Sequence, residues 1–212
     1  MDNSIEKSPT KQKIINCAVN MFAMQGYTET SVRDLATAVG LKGASIYAHF
    51  PSKNAIMEYI LNDYSEHFSA AFMNKDILSI LQKNPTTEGI LTCMQLAFPK
   101  DKEEFYVKVL GVLMQEQHRN PIIRKFMSEQ FISYTELNIK MVIEGLIKLN
   151  IIHENTDPDY WSKICSSLIY SFASRFLLGN GDNSPDFIGK GMTDLLKNTF
   201  DIMFTMHAQT SA

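Results

Sequence analysis

The residues best suited to chemistry lie close together, at Lys42, Gly43, Ala44, Ser45, Tyr47, His49 and Lys53. They do not pair a nucleophile with a base, and they do not space metal ligands. Small side chains sit beside hydrogen-bond donors instead. That combination suits contact with a grooved polyanion. Small residues let a backbone approach base edges, while lysine, tyrosine and histidine donate to phosphate oxygens. The major groove of DNA is about 12 Å wide and admits a helix only if its facing residues are small or polar. Residues 42–45 meet that condition. Ile46 and Phe50 are apolar and belong on the opposite side, holding the segment to a scaffold.

Other chemistry finds little support. The five histidines, His49, His67, His118, His153 and His207, are far apart, and no metalloprotease, nucleophile-elbow, dinucleotide or P-loop pattern occurs. The chain is therefore read as a non-enzyme with no cofactor and no metal. Cys17, Cys93 and Cys165 follow no metal spacing and read as buried free thiols of a reducing compartment.

The candidate contact residues need elements to hold them. Apolar residues recur at spacings of three and four, which predicts an all-α chain. Residues 1–8 read as a loose tail. A first helix starts at Ser8-Pro9, faces Ile14, Ala18, Met21 and Phe22 inward, and stops at Gly26. Ser31 and Asp34 form a capping box that opens a second helix, with Val32, Leu35, Ala36 and Val39 inward and Gly40 as its stop. A short third helix is expected over residues 42–49. Ser52 starts a fourth, with Lys53 and the Ser52 cap as a second phosphate site. Two short helices around a glycine turn make a helix-turn-helix.

Bulk properties fit this reading. Net charge is −3 over 212 residues, so any nucleic-acid contact is a local patch and not a general attraction. Lys11, Lys13, Arg33, Lys42 and Lys53 are offset by Glu29, Asp34 and Glu58. So mild a patch binds weakly as one copy and relies on dimerisation. The polar N-terminus is no signal peptide and no apolar run reaches membrane length, so a cytoplasmic protein with no membrane partner is expected.

Beyond residue 55 aromatic and methionine side chains are frequent. Phe68, Phe72, Met94, Phe105, Met114, Met127, Gln130, Tyr134 and Trp161 are candidates to line a pocket for a small, mainly apolar effector. Helices starting at Asn120-Pro121 and Asp157-Pro158 are expected. The first carries Ile123, Phe126, Met127, Gln130, Tyr134, Leu137 and Met141 on one face. The residues 180–185 read as a loop before a last helix. Ser167, Ser171, Ser174, Leu195, Thr199 and Met203 are candidates for the dimer interface, where two helices from each copy form a four-helix bundle.

Ala18, Phe22, Gly26-Tyr27, Thr30-Ser31, Val32, Arg33-Asp34, Leu35-Ala36, Val39-Gly40-Leu41, Ser45-Ile46-Tyr47, His49-Phe50 and Ser52-Lys53 together resemble the DNA-binding domain of TetR/AcrR bacterial transcriptional regulators. The resemblance covers roughly the first quarter of the chain. It implies a helix-turn-helix domain over residues 1–52 and an effector-binding and dimerisation domain over residues 53–212. It implies a double-stranded operator as partner, a homodimer, and a small-molecule effector held between the middle helices. By the same resemblance Thr30 or Ser31 places the second helix on a phosphate, and Arg33 adds a backbone contact. Repressor is the family's commoner mode. An activator of the same fold and a protein-interaction module without effector are the alternatives. Lys42 stands where the family pattern has a serine, so the usual hydroxyl cap of the third helix is missing.

Overall fold

The computed structural model describes residues 8–73, 77–95, 100–178, 194–202 and 204–205. All described secondary structure is helical. The chain divides into two compact units, residues 1–64 with 104–124, and residues 65–103 with 125–212.

The first unit begins with α1 (Pro9–Gln25). Pro9 supplies a preset first turn, although the Ser8 side chain makes no cap bond. Ile14, Ala18 and Phe22 form its buried face, and Gly26 ends it at φ +91°. α2 (Val32–Ala38) follows, and the capping box is formed. Ser31 Oγ accepts from the Asp34 N–H at 3.1 Å, and the Asp34 carboxylate accepts from the Ser31 N–H at 3.0 Å. The Ser31 hydroxyl, donating to the Asp34 carboxylate at 2.6 Å, and then the Ser31 N–H hold that carboxyl below its usual range. α2 closes with a Schellman motif, in which the Gly40 N–H reaches Thr37 O and the Leu41 N–H reaches Ala36 O. The motif needs a left-handed residue, and Gly40 takes φ +75° without strain.

α3 (Lys53–Met73) and α6 (Glu103–Glu116) complete this unit. Ile56, Met57, Ile60 and Tyr64 of α3 are buried, as are Tyr106, Val109, Val112 and Leu113 of α6. Tyr64 and Tyr106 meet edge to face at 5.6 Å. Val19, Phe22, Met57, Ile60, Val109, Val112 and Leu113 enclose only about 10 Å³ of free space. Expected domain limits at residues 52 and 53 therefore differ from the observed division. The first turns of α3 and nearly all of α6 carry apolar faces that only this unit buries.

The second unit contains α4 (Ile77–Lys83), α5 (Thr87–Gln95), α8 (Ile132–Lys148), α9 (Pro158–Leu178) and a helical stretch over residues 194–202. Leu81, Ile90, Cys93, Ile143, Leu146, Cys165 and Phe200 form its core. Asp157 caps α9 through the N–H groups of Asp159 and Tyr160. Lys140 bridges α8 to α9 by an ion pair with Asp159 at 2.7 Å. Thr87 donates to Asp201 at 2.5 Å, tying α5 to the 194–202 stretch.

α7 (Pro121–Phe126) passes into α8 through a π turn (Met127–Phe131). The turn adds one residue to the local repeat. The apolar face expected along Met127, Gln130, Tyr134, Leu137 and Met141 is rotated as a result. Met127, Phe131, Asn138, Ile139 and Val142 are buried, while Leu137 is exposed.

Gly89 lies against the preceding turn, where a Cβ would fall onto the Asn84 carbonyl oxygen. Backbone cannot yield as a side-chain tip does. Gly89→Ala should cost about 1–3 kcal/mol, the range for overpacking. Urea denaturation should show a lower midpoint, and an unchanged midpoint would mean that the α4–α5 turn is not held closely.

Candidate nucleic-acid interface

The candidate interface is built on the turn between α1 and α2. Tyr27 lays its ring on Phe22, with centroids 5.0 Å apart. Thr30 is fully buried. Its hydroxyl donates to Gly26 O at 2.8 Å and accepts from Gln25 at 3.0 Å. Thr30 therefore closes the turn with its side chain and does not present it to a phosphate. Ser31 and Arg33 are exposed on the first turn of α2.

Lys53 holds this turn from α3. Its ammonium donates to Tyr27 O at 2.6 Å, Thr30 O at 2.8 Å and Thr28 O at 3.3 Å. An ammonium has three protons, so the three carbonyls use them all. The same group lies 4.3 Å from the Tyr27 ring centroid, a cation–π distance. Burial lowers its pKa, against the raising effect of Glu116 and Glu29. The phosphate clamp expected at Lys53 is thus a staple for the turn. The signal available in sequence was the set of turn carbonyls left without partners between two helices.

The expected third helix over residues 42–49 is reduced to one 3₁₀ turn (Ser45–Ala48). The Ser45 N–H reaches Lys42 O at 2.8 Å, a three-residue closure. Lys42 has no acceptor side chain to satisfy the first N–H groups, and Gly43 disfavours helix in the first turn. Those two residues account for the shortening. The inward and outward faces are nevertheless as the residue types dictate. Ile46 and Phe50 are buried, whereas Lys42, Gly43, Ala44, Ser45 and Tyr47 are exposed and His49 is half-buried. Tyr47 is 53% exposed, an unusual placement for so large a ring without a partner.

Two further side chains support the interface without signal in the local sequence. Lys13 of α1 donates to Val39 O at 3.0 Å and satisfies the end of α2. Glu116 of α6 accepts from the Tyr27 N–H at 3.3 Å, across 89 residues of chain.

The expected pocket and dimer residues are distributed as follows. Phe105 and Met114 belong to the first unit, and Met127, Gln130, Tyr134 and Trp161 to the second. Met114 and Met127 are buried, the other four partly so, and Trp161 packs against the core of its unit. Ser167 and Ser171 are exposed on α9, Ser174 and Leu195 are half-buried, and Thr199 is turned into its own unit, donating to Leu195 O. Met203 lies outside the described residues, as do the side chains of Phe68, Phe72 and Met94.

Lys53→Ala should leave two partly buried carbonyls unpaired and cost about 2 kcal/mol. The full chain should melt lower, with the loss independent of DNA. A variant with unchanged melting but weakened DNA binding would restore the phosphate role.

Comparison with known proteins joins these observations. The model for bacterial regulatory proteins of the tetR family matches residues 14–60. The biofilm operon icaADBC HTH-type negative transcriptional regulator IcaR of Staphylococcus aureus (strain Newman) is 38% identical over 101 residues, 47% of this chain and 50% of that protein. The HTH-type transcriptional repressor KstR2 of Rhodococcus jostii (strain RHA1) is 30% identical over 91 residues, 43% of this chain and 44% of that protein. The matches span about half the length of these curated relatives. The fatty acid degradation regulator FadR from Bacillus halodurans shares the fold, with a TM-score of 0.66, 18% identity, and coverage of 91% of this chain and 96% of that one. Residues 14–60 are thus similar to the DNA-binding segment of the tetR family of bacterial regulatory proteins, and the fold is shared with a solved regulator.

Proposed function

We propose that this protein is a dimeric, ligand-responsive transcriptional repressor that binds a palindromic operator. The observation that carries the reading is the exposed face of Lys42, Gly43, Ala44, Ser45 and Tyr47, backed by buried Ile46 and Phe50. It presents small and donor side chains outward and fixes them from behind, as groove contact requires. Ser31, Arg33 and His49 flank it as phosphate contacts. Repression is supported by the names of the IcaR and KstR2 relatives.

The mild charge of the reader supports a dimer. With Lys53 engaged, Lys13, Arg33 and Lys42 are the exposed cations of the expected set, and Lys13 already donates to Val39 O. Each phosphate neutralised contributes roughly 0.9 to the slope of log affinity on log salt. One copy therefore gains little from counterion release, and two copies on two half-sites double the gain. Ser167 and Ser171, exposed on α9, are the proposed contact between copies.

The effector is a small and mainly apolar molecule held by the second unit, where Met127, Gln130 and Tyr134 fall on or beside the π turn. π turns occur often at functional sites because they displace side chains from the regular repeat. A ligand with a preference for one state shifts the operator equilibrium by typically about 1–3 kcal/mol.

Tyr47→Ala should weaken binding to DNA fragments flanking the protein's own gene while leaving the melting temperature unchanged, because the ring is exposed. Gel shifts at fixed salt test this, and wild-type affinity would remove Tyr47 from the interface. Sedimentation velocity at micromolar protein should show a dimer, and a monomer there would contradict the two-half-site reading.

A further inference from the structure

The first unit contains a cavity of about 200 Å³ that the DNA-reading role does not use. Tyr27, Asn54, Glu116, Arg119 and Asn120 contribute its polar walls, and Ile122 an apolar one. All of them belong to that one unit. The space holds several waters and suits a small organic molecule.

Its chemistry is set by Glu116 and Arg119, with the Lys53 ammonium within electrostatic reach of Glu116 but spent on the turn carbonyls. Glu116 is 7% exposed. Its Oε1 accepts the Tyr27 N–H, but Oε2 is buried and has no hydrogen-bond partner. A carboxylate oxygen withdrawn from water without a donor is an unfavourable arrangement that a bound donor relieves. The terminal torsion of a glutamate is broad, so a small rotation turns Oε2 toward the lumen. Arg119 stands three residues further on, exposed at the rim, and makes no ion pair with Glu116. Its guanidinium needs an acceptor and repels a simple cation. Asn120 already uses its Oδ1 on the N–H groups of Ile122 and Ile123, and Asn54 uses its Oδ1 on the Tyr27 hydroxyl. The Asn120 amide N–H group also serves the Tyr27 hydroxyl, so what the two amides keep for a ligand is the remaining N–H of Asn120 and the N–H pair of Asn54.

We propose that this cavity binds a small zwitterion of the α-amino-acid class, with the ammonium on Glu116 and the carboxylate on Arg119 and the asparagine amides. A plain amine leaves Arg119 unsatisfied, and a plain carboxylate meets the buried glutamate. The site is separate from the proposed effector pocket, whose residues at the π turn lie in the other unit. It does not depend on the operator reading, because binding is measured without DNA.

The test is calorimetric titration of the full chain with each standard amino acid, with propylamine and with propionate. At least one amino acid should bind saturably at millimolar concentration, and both single-charge probes should bind more weakly by about tenfold or more, the loss expected for one charged hydrogen bond. Glu116→Gln and the exposed variant Arg119→Ala should each weaken the amino acid by about tenfold, for the same reason. Circular dichroism melting confirms that each variant is folded. If Glu116→Gln unfolds, Arg119→Ala alone decides the assignment. The proposal is overturned if no amino acid binds, if both folded variants bind as wild type does, or if propylamine binds as well as the amino acids.

Discussion

The turn between α1 and α2 is the constraint on which the reading head depends. It has to stop one helix, start another and leave its carbonyls satisfied within the six residues 26–31. Gly26 makes the stop and Ser31 the start, but neither satisfies the carbonyls between them. Lys53 does so from α3, and Thr30 closes the loop back to Gly26 O. One ammonium therefore fixes the angle between the first helices and the third. It also explains how a 3₁₀ turn too short to be stable alone is kept in place. Ile46 and Phe50 are anchored in a core whose walls are set by the same three helices.

That solution has an electrostatic consequence. A lysine held on three carbonyls has spent its protons on the turn, and the exposed Lys13 gives one of its donors to Val39 O. The reader keeps a stable frame by giving up cations that would otherwise face phosphate. What remains outward is a few hydrogen-bond donors on a small, close-approaching surface. Such a surface is suited to base edges more than to long-range attraction, since exposed charges act over only about 8 Å at physiological salt. Affinity then has to come from the number of contacts made at once.

Much of this was legible in the residues, and the failures share a physical cause. The caps at Ser31, Asn120 and Asp157 were readable because each is decided within three residues. The inward set of Ile46 and Phe50 was readable from polarity alone. Lys53 was misassigned because its partners lie 23 to 26 residues away, and a lysine beside a helix start looks the same whether it faces phosphate or carbonyl. Thr30 failed for the same reason, since a hydroxyl before a cap gives no sign of which way it turns. Glu116 had no sequence signal at all. Its partner is 89 residues distant, and in its own helix it is one more acid at the end.

The π turn shows how a local irregularity can defeat a correct periodic reading. The start of the helix at Pro121 and the buried Ile123, Phe126 and Met127 follow from spacing, whereas Ile143 and Leu146 are buried beyond the expected stripe. Between them the extra residue moves the apolar stripe by about one position, so Leu137 emerges and Asn138 is buried. A strictly α-helical face would have buried Leu137 and kept Asn138 in water. Burying an asparagine in place of a leucine is unfavourable for packing alone. The turn therefore opposes the simplest hydrophobic arrangement, and deviations of this kind are retained where they place side chains for another purpose. Met127, Gln130 and Tyr134 are the side chains so placed, which makes this stretch, more than its apolar composition, the physical argument for an effector site in the second unit.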